Sequence, residues 1–328
     1  MKKLYSINLQ LFAEMNTNTT LSPGLSAENK TFYDKTLLVE AQANLVHDQF
    51  AQKRPIPKNG GKKIEFRKFA SLPKALTPLT EGVTPDGKSL EVSKVEAEVA
   101  QYGDYVVYSD VLDLTAIDPV VTEGVKVLGN QAGLTLDTIT RNALQLGTNV
   151  FYCSKGDGTE VASREALDNT CRLTAKEVKK VAAFLRKNNA PKIDGSYVAI
   201  IHPYVSYDLQ NDPEWIESHK YATPENIYEG ELGKIGGVRF VESSEAKVYE
   251  GGVFGCIFLG ANAYGVTEIE GGGLKTIIKQ LGSSGVADAL DQRASIGWKA
   301  IKTAEILLEP YIVRVECKSE FSKGLEAN

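Results

Sequence analysis

Apolar residues change their spacing several times along the chain, and each change marks an element. From Thr31 to about Gln52, Leu38, Ala41 and Leu45 share a helical stripe, with Val46 and Phe50 beside it. That spacing predicts a helix ended by Pro55 and Pro57. After an Asn59-Gly60-Gly61 turn, Ile64, Phe66 and Phe69 begin a strand-like alternation. A Pro-, Thr- and Gly-rich stretch covers 77–87. Beyond it Leu90 and Val92, then Val95, Ala97 and Val99, then Tyr105 and Val107 alternate with polar residues, predicting a long strand or strand pair. Asp118-Pro119 supplies a helix cap and a proline at the first helical position. Val121, Val125, Leu128, Ala132, Leu136, Ile139, Ala143 and Leu146 follow at spacings of three and four, ending at Gly147. If continuous, this helix is about 40 Å long. Gly124, Gly129 and Gly133 interrupt it, which predicts either a bend or close packing on another backbone.

A second unit, roughly 160–268, mixes the two periods. Thr174-x-x-Glu177 is a capping-box pattern opening a helix through Val178, Val181, Ala182 and Leu185, closed by Asn188-Asn189. Tyr197 to Ile201 and Val253 to Leu259 are continuous apolar runs, and Gly236-Gly237 leads into Val238, Phe240 and Val241; all three predict strands. The tail returns to strands at Leu274 to Ile278, Ile296 to Ala304, and Ile306 to Val315, the last interrupted by Pro310. No internal repeat of solenoid period occurs.

Composition narrows the class. The 328 residues are 42% hydrophobic and 24% charged, which is globular, and the length suits about two units. The net charge is -5, opposite in sign to most dedicated nucleic-acid binders. No apolar run is long enough to cross a bilayer. The opening MKKLYSINLQLFAE starts like a secretory signal, but Asn8 and Gln10 break its apolar run, and a docking or processed arm is the better reading. Charge is uneven along the chain. Between Lys53 and Lys74 eight basic residues stand against Glu65 alone, a local +7; between Glu81 and Asp118 nine acidic residues stand against Lys88 and Lys94, a local -7. Two readings fit. The strands pair with each other, charges facing across, or a thin two-stranded arm lies on a neighbouring subunit, since an isolated hairpin is marginal in water.

The candidate chemistry is sparse. Gly82 to Ser89 fits G-x-x-x-x-G-K-[ST], with Lys88 and Ser89 in the phosphate and magnesium positions. A P-loop needs a buried strand before it and a helix after it. Here prolines precede it and strand-like alternation follows, so a tight turn is the expectation. Gly230, Gly233, Gly236 and Gly237 lack the dinucleotide spacing and come before a strand, again favouring turns. Asp208, Asp212, Glu214 and Glu217 lack calcium-loop spacing and read as a solvated face. Three separated histidines (His47, His202, His219) read as structural, and four dispersed cysteines (Cys153, Cys171, Cys256, Cys317) as reduced, mostly buried thiols. The absence of a reaction centre favours building or binding over catalysis.

The order of parts resembles that of a tailed-phage major capsid protein of the Hong Kong 97 type. TEGVTPDGKSLEVSKVEAEVAQYGDYVVYSDV is similar to the extended loop of the phage N4-type capsid family; GSYVAIIHPYVSYDLQNDPEW and GELGKIGGVRFVESSEA resemble its axial-domain core, and DALDQRASIGWKAIKTAEILLEPYIVRVE its closing strands. NLQLFAE resembles the start of many capsid and scaffold proteins from phages of Gram-positive hosts. The resemblance implies an α+β fold divided into an N-terminal arm and helix (1–52), an extended loop (53–109), a peripheral domain with spine helix (110–160), an axial domain (161–268) and closing peripheral strands (269–328). It implies a non-enzymatic subunit, without cofactor or metal, that self-assembles as hexamers and pentamers into an icosahedral shell around double-stranded DNA. Only about 50 residues precede the loop, which points to a separate scaffolding protein; a portal and decoration proteins are further expected partners. The expected location is the virion, after assembly in the host cytoplasm. Lys62, Lys63, Arg67, Lys68, Glu91, Glu96 and Glu98 are the expected inter-subunit contacts. No lysine–asparagine crosslinking pair is matched. An encapsulin-like compartment shell and a P-loop enzyme using Lys88 and Ser89 are the alternatives.

Overall fold

The computed structural model describes residues 36–328 except 38, 42–44, 70–71, 73, 80, 83, 85, 116–119, 220–231, 284–287, 289 and 323–326. The expectations for the opening arm, Leu38, the Asp118-Pro119 cap and Gly230 fall outside these residues.

Among the described residues, three sheets organise the chain. The first joins β1 (Gln52–Lys53), β11 (Tyr264–Thr267), β13 (Arg293–Ile306) and β12 (Lys275–Lys279) in that order, with β4 (Ala100–Ser109) also paired to β13. The second runs β5 (Val150–Tyr152), β14 (Ile312–Cys317), β10 (Val253–Leu259), β6 (Tyr197–Ile201), β8 (Val238–Glu242) and β7 (Lys234–Ile235), with β9 (Val248–Tyr249) against β10. The third is a hairpin of β2 (Lys63–Phe69) and β3 (Val92–Glu98). Besides the helical residues 36–37 and 39–41, the helices among the described residues are α1 (Asp110–Thr115), α2 (Val120–Leu144), α3 (Ala175–Lys187), α4 (Pro203–Gln210) and α5 (Pro213–His219). The architecture is α+β.

The long helix α2 is 25 residues, about 37 Å at 1.5 Å per residue. Its Val125, Leu128, Ala132 and Leu136 are buried against Ala294, Ile296, Trp298 and Ala300 of β13. Two of its glycines serve close approach. A Cβ at Gly129 would lie 3.0 Å from the Leu37 carbonyl oxygen, and one at Gly133 would lie 2.5 Å from that of Ala41. These contacts lock the helical residues 36–37 and 39–41 onto α2.

The helix expected to run to Gln52 stops earlier. Residues 45–51 are coil, turn and bend. The cause is a set of buried charges that compete for the backbone. The His47 amide donates to Asp137 Oδ1 at 2.7 Å, and His47 Nδ1 lies 2.6 Å from Asp137 Oδ2, both side chains almost wholly buried. Asp48 accepts from the Thr140 hydroxyl at 2.6 Å and pairs with Lys302, whose ammonium also donates to the Leu136 carbonyl at 2.9 Å. The Tyr264 hydroxyl donates to the His47 carbonyl. One turn is thereby tied to α2, β13 and β11. From it the chain continues as β1, parallel to β11, and Ile56 exchanges backbone hydrogen bonds with Glu268 and Glu270 at 2.8 Å.

The second sheet is clad by α3, whose Val178, Val181, Ala182 and Leu185 are buried as the periodicity predicts. Thr174 caps it by accepting from the Glu177 amide; the reciprocal half of the capping box is absent, because the Glu177 carboxylate takes the Ser154 hydroxyl at 2.8 Å and Lys180 at 3.2 Å. Gly236 and Gly237, both at positive φ, turn β7 into β8. Sheet membership crosses the expected segment limits. Pro310 sits in a single 3-10 turn, Glu309–Tyr311, after which β14 enters the second sheet between β5 and β10 rather than joining β13. Likewise β11, before residue 268, belongs with β13.

Removing one partner of the Asp48–Lys302 pair strands the other charge in the core. Asp48→Leu is expected to cost about 3 kcal/mol in urea unfolding, and Asp48→Leu with Lys302→Met to recover most of that loss. Equal destabilisation by both variants would show that the pair is not an energetic unit.

Candidate assembly surfaces

The hairpin carries most of the sequence-predicted contact residues. Antiparallel register sets Lys63 opposite Glu98 and Phe69 opposite Val92, so each strand extends about 23 Å at 3.3 Å per residue. Lys63 lies 3.9 Å from Glu98, Lys94 is 2.6 Å from Glu96 and 3.3 Å from Glu65, and Arg67 is 3.4 Å from Glu65. Among the described pairs only Lys63–Glu98 sets a basic residue of the first segment against an acidic residue of the second; the register sets Arg67 opposite Lys94 and Glu65 opposite Glu96, like charges facing. The Glu96 hydrogen bond, followed by Glu65, raises the Lys94 ammonium above its ordinary value, while the Lys94 hydrogen bond holds the Glu96 carboxyl below its own. Lys62 lies at the hairpin base, where its carbonyl accepts from the Val99 amide at 3.0 Å; Glu91 stands exposed at the opposite end. Lys68 falls within β2. The paired side chains are well solvated, and such pairs contribute little to stability.

Phe66, Ala97 and Val99 are the buried apolar residues at the base of the hairpin. Phe66 is buried and packs on Gly265 of β11, where an added Cβ would come within 2.9 Å of its ring. The Arg54 guanidinium lies 5.8 Å from the same ring centre. Periodicity placed Phe66 on a strand but gave no sign of Gly265, two hundred residues away, as its seat. Toward the far end, Leu76, Leu79 and Leu90 are 81%, 76% and 64% exposed. These large apolar side chains are left uncovered within the single chain.

The remaining candidates resolve as structure. Among the described residues of 82–89, Gly82 has positive φ and the chain runs as turn and coil into β3, with no helix to complete a phosphate cradle. Of the acidic cluster, Glu214 and Glu217 stand on a solvated face as expected, and Asp208 and Asp212 do not. Asp212 caps α3 and α5 by accepting from the Ala175 amide at 2.7 Å and the Glu214 amide at 3.0 Å, and buried Asp208 accepts from the Glu320 amide at 3.1 Å. Burial pushes the Asp208 carboxyl above its usual range. His202 caps α4, its Nδ1 accepting from the Tyr204 amide at 3.1 Å. All four cysteines are buried and free, with Cys256 and Cys317 at 3.9 Å; that contact, then burial, lifts the Cys256 thiol well above its ordinary value. Among the described residues no His, Cys, Asp and Glu group could hold a metal ion, and no helix is long and apolar enough to cross a membrane.

The phage capsid protein family matches the chain over residues 121–289, more than half its length. The chain belongs to that family and is a structural, non-enzymatic subunit of a phage head shell. No curated protein matches. Solved structures share its fold at low identity. The capsid of cyanophage P-SCSP1u is 15% identical, with a TM-score of 0.65, covering 84% of this chain and 89% of that one. The head of Helicobacter pylori bacteriophage KHP40 is 13% identical, with a TM-score of 0.60, covering 81% and 88%. A virus-like particle from Pyrococcus furiosus is 10% identical, with a TM-score of 0.51, covering 88% and 99%. The fold is that of the Hong Kong 97-type capsids.

The Phe66 seat gives a direct test. Gly265→Val should expel the ring at a cost of about 1–3 kcal/mol and raise trypsin cleavage at Arg67, leaving the far-ultraviolet circular dichroism of the body unchanged. Unchanged cleavage would show that the hairpin is held elsewhere.

Proposed function

We propose, from membership of the phage capsid family, that this chain belongs to its N4-type branch and builds an icosahedral shell from hexamers and pentamers. The two-stranded hairpin serves as the extended loop, α2 as the spine helix, the five-stranded sheet as the core of the peripheral domain and the seven-stranded sheet as the core of the axial domain. The observation that carries this reading is the hairpin itself: seven residues per strand, burial confined to Phe66 and Ala97 among its described side chains, and leucines left in solvent beyond it. A two-stranded ribbon of this kind gains stability only when something covers it. Sister subunits are the cover, and contact between non-identical surfaces closes into rings.

Lys62, Lys63, Arg67 and Lys68, with Glu91, Glu96 and Glu98, exchange partners across that contact. Because the exposed pairs within the hairpin are weak, they yield to pairs with a neighbour at little cost. The shell encloses double-stranded DNA, and a net charge of -5 suits a container that must not grip phosphates. A separate scaffolding protein, a portal and decoration proteins complete the assembly, which takes place in the cytoplasm of the host before the chain becomes part of the virion.

Purified protein, alone or with scaffold, is expected to sediment as rings, sheets or shells of megadalton size. Changing Lys62, Lys63, Arg67 and Lys68 together to Glu should reduce the shell fraction by about tenfold while the body stays folded. Shells at wild-type yield would refute the role of these charges; a subunit that stays near 36 kDa in all assembly conditions would refute the assembly reading.

A further inference from the structure

The segment that leads into the hairpin crosses the α2 face of the first sheet, and beneath it lies a cavity of about 350 Å³. Its apolar walls are Ala41 and Leu45 of the crossing segment, Leu136 of α2, Val266 of β11, Leu274 before β12 and Ala300 of β13. Sites for small molecules commonly enclose about 300–1,000 Å³. Strand alternation explains the deep end. Ala300, Lys302 and Ala304 occupy alternate positions on β13, so the Lys302 side chain shares the face of the apolar clusters and is buried with them.

Charge gives the cavity its sign. Three cations line it, Lys53, Arg54 and Lys302, against two carboxylates, Asp48 and Glu268. The deep pair is committed: Lys302 donates to Asp48 and to the Leu136 carbonyl at 2.9 Å, and Asp48 also accepts from the Thr140 hydroxyl. An ammonium carries three donors, and among the described residues Lys302 has these two acceptors. Burial draws this ammonium below its ordinary value although Asp48, Asp137 and Glu268 work against the shift, so a further negative charge nearby is favoured. At the mouth the Arg54 guanidinium lies over the Phe66 ring, while Lys53 is exposed and makes no ion pair among the described residues. Apolar walls, a cation at the opening and one surplus positive charge suit an amphiphile that carries one negative charge.

We propose that this cavity binds a small aliphatic monocarboxylate, its tail among Leu136, Val266, Leu274 and Ala300 and its carboxylate at the mouth on Lys53. The site goes beyond the assembly reading and needs no neighbouring subunit. A neutral chain of the same length fills the same walls but leaves the surplus charge unbalanced, and a cationic one adds to it. The crossing segment forms one side of the cavity, and α2 with the sheet forms the other. A ligand touching both sides therefore stabilises the seat of that segment in proportion to its occupancy.

Octanoate is the probe, with octanol and octylamine as its neutral and cationic counterparts. Titration calorimetry on the purified full chain should show one octanoate per chain, bound at least about tenfold more tightly than either counterpart, and saturating octanoate should raise the unfolding midpoint. Leu274→Trp, at the half-buried edge, should remove binding by filling the cavity. Lys53→Gln changes an exposed position and should weaken octanoate about fivefold while leaving octanol unchanged; it decides alone if Leu274→Trp does not fold. Absence of saturable octanoate binding in the millimolar range would overturn the proposal. So would octanol or octylamine binding as tightly, or octanoate affinity unchanged by Lys53→Gln, which would put the ligand elsewhere. Every result is read on the chain itself, so none of them bears on whether it assembles.

Discussion

The placement of the hairpin depends on a knot of buried polar groups at His47 and Asp48. Leu45, Val46, Phe50 and Ala51 around that turn pack at the edges of the apolar clusters, and its polar residues meet Asp137 and Thr140 of the long helix, Lys302 of β13 and the Tyr264 hydroxyl. Buried ions cost desolvation, and well-packed apolar residues can be as stabilising in their place. Their advantage here is direction. An apolar plug could slide or rotate, whereas a carboxylate that takes both the amide and the ring of His47 fixes the backbone in one orientation. Burial draws the Lys302 ammonium below its ordinary value and Asp48 works against that shift, as expected of a charge kept inside only because it is paired. With this turn fixed, β1 must run along β11, and the hairpin must leave the body beside Gly265.

Anchoring strength falls along the hairpin. Its start is held by buried charge, its first strand by the single ring of Phe66, and its far end carries leucines in water. The charged pairs along the strands add little stability, since solvent screens them. A segment built this way is stiff enough to aim and incomplete enough to need a neighbour, as an element that joins identical subunits must be. The glycines of α2 serve the same end from inside, bringing the backbone near Ala41 against the helix so that the preceding segment has a fixed seat.

Local pattern made some of this legible and left the rest hidden. The long helix, the α3 stripe and the buried strands at Tyr197 and Val253 follow from spacing of three to four residues or from unbroken apolar runs, while the glycines of the long helix left a bend and close packing both open, and the structure shows close packing at Gly129 and Gly133. The end of the first helix did not, because Asp137 lies 90 residues from His47 and its pull leaves no trace in local propensity. Sheet membership of β14 and β11 was equally hidden: both strands are readable, but their partners are fixed by long-range register. Among the charged residues, sequence located the hairpin and its polarity. It could not show that Lys63 faces Glu98, nor that Lys275, Lys279 and Lys299 share one face, because alternation reveals a face only once strand order is known.

Amide hydrogen exchange, measured on the dissociated subunit and on the assembled shell, tests most directly whether the hairpin borrows its stability from sister subunits. The account predicts that amides of residues 86–91 exchange freely in the subunit and become protected in the shell, while those of Ile56 and β11 are protected in both. Equal protection of 86–91 in the two states would show that the hairpin is complete within one chain and contradict it.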